Sequence, residues 1–210
     1  MNKFLLVVTA IGALVVGVLS FKHFTKPEMP EHALFYKQAR AIAPFEFIDN
    51  SGKVFTQDNL RDKWSLVFFG YTSCPDVCPM TLQNLNFIYD DLKLIASNTQ
   101  VLLVSVDPKR DTQEKLSQYI AYFNPEFVAI RADHGELFPF ARSMGLMYAI
   151  SATSEDDTEY DVDHSASMVL INPEGRVAAI FKPEEVLGSI PAINSKHLLE
   201  DYSKIIKLSN

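Results

Sequence analysis

The sequence predicts an α/β domain carried behind a single membrane-spanning helix. Three observations lead there: an N-terminal apolar run, two buried-type strands each followed by a helical pattern, and two hairpins marked by turn residues. The 210 residues suffice for one domain of ordinary size plus an extra segment. Hydrophobic residues make up 48% and charged residues 21%, as in globular proteins, which argues against wholesale disorder. The net charge of −7, with no Lys/Arg cluster, excludes nucleic acid as a partner, because phosphate backbones are held by concentrated positive charge.

Phe4 to Phe21 is an apolar run interrupted only by Thr9, Ser20 and two glycines. As a helix, 18 such residues span about 27 Å, enough for the hydrocarbon core of a bilayer. Lys3 and the amino terminus precede the run as in a signal sequence, but Val18-Leu19-Ser20-Phe21 offers no small-x-small cleavage site. Residues 1–24 are therefore expected to be an uncleaved anchor, and 25–42, with Pro27 and Pro30, a short linker. Lys22 and Lys26 balance the charges before the run, so positive-charge bias leaves the orientation open.

The domain is expected over 43–210. Phe45-Glu46-Phe47-Ile48 and Lys53-Val54-Phe55 flank Asp49-Asn50-Ser51-Gly52, a hairpin signal. Ser65 to Tyr71 and Val101 to Val106 are continuous apolar strands of the sort covered on both faces. After the first, Leu82, Leu85, Ile88, Tyr89 and Leu92 recur at helical spacing; after the second, Leu116, Tyr119, Ile120 and Phe123 do. A short strand at Phe127–Ile130 and a short helix at Glu136–Met144 follow. Asn172-Pro173-Glu174-Gly175 marks a second hairpin between Ser167–Ile171 and Val177–Phe181, and Leu198–Leu208 closes the chain as a helix. Two strand–helix units, then a hairpin and a helix, make a thioredoxin-like order, with the first hairpin an N-terminal extension.

The two cysteines of the chain, Cys74 and Cys78, lie where the first buried strand gives way to a helix. A disulfide framework would use more cysteines, spread along the chain, so this pair points to local redox or metal chemistry. At a helix N-terminus, backbone N–H groups and the dipole favour thiolate. Residues four apart on a helical turn lie roughly 6 Å apart, which permits a reversible disulfide or convergence on one ion. Two thiolates suit Cu(I), and an added imidazole makes a trigonal site that also accommodates Cu(II). Structural zinc would want a fourth ligand. Among five histidines, His23 and His32 fall in the anchor and linker, and His197 at the start of the last helix reads as solvent-facing. His134 competes with His164, which precedes the strand facing the cysteine loop; Asp161 or Asp163 could orient its ring.

Cys74-Pro-Asp-Val-Cys78-Pro after Phe-Phe-Gly-Tyr-Thr, Val104-Ser-Val-Asp-Pro-Lys-Arg-Asp-Thr112, and Val162-Asp-His-Ser165 together resemble the SCO/SenC family, in the same order over about Ala43 to Lys207. The resemblance implies a thioredoxin fold, an N-terminal anchor and a copper site of Cys74, Cys78 and His164. It also implies a role in assembling the dinuclear copper centre of cytochrome c oxidase, with the oxidase's copper-bearing subunit and other copper chaperones as partners. Asp107 falls on a family aspartate whose role the sequence leaves unassigned. The family places the domain on the outer side of the inner membrane. The absence of Arg before position 40, unlike a mitochondrial presequence, makes a bacterial single-pass protein facing the periplasm the expectation.

The expected activity is that of a copper-binding metallochaperone, with no catalytic residue. The alternative is a thiol–disulfide oxidoreductase, Cys74 and Cys78 forming a redox-active disulfide, that keeps the target cysteines reduced. A peroxidase or general redox regulator is a third reading. Thioredoxin-type enzymes have two residues between their cysteines and a Pro opposite; here there are three, and Asp163-His164-Ser165 stands opposite. The acidic stretch Glu155, Asp156, Asp157, Glu159, Asp161 and Asp163 reads as a solvated loop, or as a means of docking a basic partner.

Overall fold

The computed structural model describes residues 3–24, 27–151, 160–184 and 190–209. Helix α1, Lys3–Phe24, opens the chain. Among the described residues no helix is long and apolar enough to cross a membrane; the side chains at positions 5, 6, 19 and 21–24 of α1 lie outside the described set. Residues 25 and 26 of the expected linker lie outside it too, as do Glu155, Asp156, Asp157 and Glu159 of the acidic stretch.

The domain is built on one eight-stranded sheet. Its centre is three parallel strands, β4 (Trp64–Gly70), β5 (Thr99–Ser105) and β6 (Val128–Arg131). Beside β4 runs antiparallel β9 (Met168–Ile171), followed by β10 (Val177–Phe181) and, at the edge, β1 (Leu34–Arg40). The opposite edge is the hairpin β2 (Glu46–Asp49) and β3 (Val54–Thr56), joined to β6 through β2. The expected extension hairpin is thus present, and the element order matches the expected thioredoxin-like one. The expected linker, however, contains a strand. Residues 34–40 read as unstructured because their alternation is weak: β1 lies at an edge and none of its side chains is fully buried.

Period-two alternation divides β4 between two cores. Leu66 and Phe68 face helices α2 (Val77–Ile95), α3 (Gln113–Phe123) and α5 (Ser195–Ser209), while Val67 and Phe69 face α4 (His134–Ser143). With both faces covered, every residue of β4 and β5 is buried, which explains their unbroken apolar runs. The turns behave as their residues dictate: Gly52 and Gly175 adopt φ +82° and +72°, conformations L side chains rarely take.

A second, two-stranded sheet, β7 (Tyr148–Ile150) and β8 (Val162–His164), lies outside the main one. Strands of three residues are too short to show a period, so the sequence pattern does not mark them.

At the far end, fully buried Asp201 of α5 accepts the backbone N–H groups of Glu31 (3.0 Å), His32 (2.6 Å) and Ala33 (2.7 Å). Lys204 pairs with Glu31 at 3.0 Å. The rings of His32 and His197 stack at 3.6 Å, and His197 Nδ1 lies 2.5 Å from Glu184. His197 is therefore a packed residue instead of the solvent-facing one expected. Through these contacts the segment before β1 is part of the domain.

Candidate metal centre

The site forms where β4 ends at Gly70 and α2 begins at Val77. Cys74 lies in the intervening loop and Cys78 in the first turn of α2, so the helix terminus stands between the two sulfurs, as expected. Pro79 also sits in that first turn, where its missing N–H costs nothing. The side chain of Asp76, at the N-cap position, makes no capping bond. Instead the Cys78 amide donates to Cys74 Sγ at 3.4 Å, so the sulfur of Cys74 caps the helix.

Gly70 allows the two elements to approach: a Cβ there would lie 2.7 Å from Cys78 Sγ. The sequence reading missed this role. Its only signal was a residue without a side chain at the end of an otherwise bulky strand.

His164 is the last residue of β8, and its Nε2 lies 3.5 Å from Cys78 Sγ. Its Nδ1 is 3.3 Å from the Ser165 carbonyl: a ring protonated on Nδ1 donates there and turns its Nε2 lone pair to an ion, whereas in the metal-free pair a proton on Nε2 faces the sulfurs. The expected orienting role of Asp161 or Asp163 therefore passes to a backbone carbonyl. The Tyr71 ring meets the imidazole edge-on, with centroids 5.8 Å apart. His134 spends its Nδ1 on the Tyr148 hydroxyl at 2.9 Å.

The ligand atoms of Cys74, Cys78 and His164 lie within 4.8 Å of one another. Sulfur and nitrogen bonds to a soft or borderline ion are roughly 2.0–2.3 Å long, so donors around it sit about 3.5–4.5 Å apart. The three fit one ion with little movement.

Electrostatics prepare the pair. The Cys78 thiol, then His164 and the amides of Cys78 and Asp76, hydrogen-bond to Cys74 and hold its pKa down to about 4. Cys78 is pushed far up by the same shared hydrogen bond and by its burial. The metal-free pair at neutral pH thus carries one thiolate and one thiol.

Asp107 and Asp111 stand behind the loop, both fully buried. Asp107 pairs with Arg110 and accepts from the Tyr160 hydroxyl, which gives the unassigned aspartate a structural role. Arg110 in turn lies 3.8 Å over the Tyr160 ring.

The fold and the site define a class: an α/β protein of thioredoxin-like order with a dithiol–imidazole cluster at the end of its central strand. More narrowly, the chain belongs to the SCO1/SenC family, whose model matches residues 36–196. It is 34% identical to a SCO2-like protein of Rickettsia prowazekii over 81% of this chain and 83% of that one. The crystal structure of copper-bound ScoI from Arabidopsis thaliana superposes with a TM-score of 0.68 at 31% identity, covering 79% of this chain and 98% of that one. The same fold, at 19% identity and TM-score 0.61, occurs in BsSco, described as a member of the Sco family of cytochrome c oxidase assembly proteins; 83% of this chain and 98% of that one are covered.

Proposed function

We propose that this chain is a copper metallochaperone that takes up one copper ion on Cys74, Cys78 and His164 and delivers it to the dinuclear copper centre of cytochrome c oxidase. The observation that carries the reading is the convergence of these three ligand atoms within 4.8 Å. Family membership and the copper-bound relative support copper over zinc, as does a cluster of three candidate ligands, and not four, among the described residues. Three ligands hold the cargo, while an open groove of about 440 Å³ beside His164, lined by Met147, Asp163 and Ser165, leaves room for an acceptor's ligands.

The remaining expectations enter the same proposal. Residues 1–24 anchor the chain in a bacterial inner membrane, and the domain faces the periplasm, beginning at about Glu31 instead of residue 43. Support comes from the apolar α1 sequence and from the Asp201 clasp. The partners are the copper-bearing oxidase subunit and an upstream copper donor.

One observation favours a second reading. A thiolate at Cys74 beside a protonated Cys78 is the arrangement with which a dithiol reduces a disulfide. Cys74 would attack one target sulfur to form a mixed disulfide. Cys78 would then lose its proton and attack Cys74, leaving a Cys74–Cys78 disulfide and a reduced target that takes up two protons.

Anaerobic Cu(I) titration of the reduced full chain decides between them. Uptake of one ion, abolished by Cys74→Ala or Cys78→Ala, is the result expected of the chaperone. Negligible affinity together with efficient disulfide reduction would replace it by the oxidoreductase.

A further inference from the structure

Asp111 is fully buried, and among the described residues the groups that hydrogen-bond to its carboxylate are neutral. The Thr72 hydroxyl donates to Oδ1 at 2.6 Å and the Ser105 hydroxyl to Oδ2 at 2.6 Å. The Thr72 amide lies between the oxygens, 3.2 Å from one and 3.1 Å from the other. Burial pushes the Asp111 pKa up. Holding a carboxylate this way is costly unless the bonds perform a task that an apolar residue could not.

The three elements it joins show the task. Ser105 ends β5 and pairs in register with Gly70, the residue packed against Cys78. Thr72 lies two positions before Cys74, whose amide turns back to the Tyr71 carbonyl at 3.2 Å. Asp111 itself is fixed by its amide's 2.9 Å bond to the Asp107 carbonyl, and next to it Thr112 caps α3 by accepting from Lys115. The carboxylate therefore binds the cysteine loop, from outside that loop, to the end of the central sheet. Cys78 needs no such support, since it rides on a helix packed into the core.

We propose that Asp111 is a positioning residue for copper: by holding Thr72 it fixes Cys74 relative to Cys78 and His164, and so sets the geometry in which the ion is bound. The proposal rests on the reading that these three residues carry copper.

Donor chemistry makes the role testable. The Thr72 amide can only donate, whereas the Ser105 hydroxyl can turn and accept. In Asp111→Asn the side-chain oxygen can stay on Thr72 and the NH2 can face Ser105, which keeps the hold on the loop. Asp111→Ala removes it. Thr72→Val removes the shorter Thr72 bond and leaves the Ser105 bond, serving as the test if Asp111→Ala does not fold.

The experiment measures Cu(I) affinity and the thiolate-to-Cu(II) charge-transfer spectrum of the full chain, with thermal stability alongside. Expected are a roughly tenfold or greater loss of affinity and a shifted spectrum in Asp111→Ala and Thr72→Val, non-additive when combined. Asp111→Asn should stay within about threefold of wild type, with its spectrum. A wild-type spectrum and affinity in both Asp111→Ala and Thr72→Val, whatever their stability, would overturn the positioning role alone. A wild-type chain that takes up no copper would overturn the function and this proposal together.

Discussion

The amide of Cys78 donates to the sulfur of Cys74 at 3.4 Å, so one candidate ligand caps the helix that carries the other. Metal affinity and helix stability thereby share an atom, and substitutions can separate them. Cys74→Ser keeps an acceptor at the cap but removes the soft donor. At about pH 4 and below, where the thiolate no longer contributes, it should fold about as stably as wild type, and at neutral pH it should lose Cu(I) affinity by roughly a hundredfold or more. Cys74→Ala should lose affinity and also, at that same low pH, about 1 kcal/mol of stability, the usual cost of a deleted cap. Urea denaturation of the metal-free variants beside copper titration checks both.

The proton shared by the thiols makes a prediction about pH. Because folding lowers the Cys74 pKa to about 4, folding favours its thiolate. The resulting stability is fully present above the unfolded thiol's ordinary pKa, roughly 8.5, and is lost as pH falls toward about 4. Cys78 acts in the opposite sense: its raised pKa means stability declines as pH rises beyond the ordinary thiol range. Ultraviolet thiolate absorbance should show one group titrating near pH 4, absent from Cys74→Ser. Copper uptake at neutral pH should release about one proton, measurable by calorimetry in buffers of different ionisation enthalpy.

Gly70 supplies a steric test. A methyl group there would meet Cys78 Sγ at 2.7 Å, so the sulfur must leave the position in which it now sits 3.5 Å from His164 Nε2. Gly70→Ala should weaken copper binding by tenfold or more and cost about 1–3 kcal/mol through overpacking. Copper titration and denaturation midpoints give the two numbers.

The Asp201 clasp predicts the converse, a stability change without a copper phenotype. Asp201→Ala would leave the amides of Glu31, His32 and Ala33 without their acceptor, a loss of about 2–4 kcal/mol. Copper affinity should be unchanged, because α5 contributes no candidate ligand. Limited proteolysis near residues 27–33 should accelerate in the same variant.

Sequence pattern revealed what regular burial imposes. β4 and β5 are covered on both faces and read as apolar runs, and α2 and α3 repeat because one stripe of each faces the core. The cysteine pair was legible from its spacing and its place at a strand–helix junction. His164 needed fold order and family resemblance to rise above His134. Hidden from the sequence were features made by contact at a distance. β1 is an edge strand recognised only through its pairing with β10, and β7 and β8 are too short to show alternation. The orienting carbonyl of Ser165 has no side-chain signature, so nearby aspartates drew attention instead. Asp111 was visible as a letter in a motif, but two of its three donors belong to Thr72, 39 residues away in the chain.

The clasp at Asp201 has a consequence for how the cargo travels. Only residues 25–30 separate the end of α1 from Glu31, so the clasped point lies within about 25 Å of the helix end however those residues run. If α1 anchors the chain as proposed, the domain would be a leashed carrier that meets its acceptor by lateral encounter in one plane. Confinement of that kind raises the effective concentration of the two sites toward the millimolar range. A weak, short-lived handshake then suffices for delivery, and the dithiol–imidazole grip can be tuned for holding the ion between collisions.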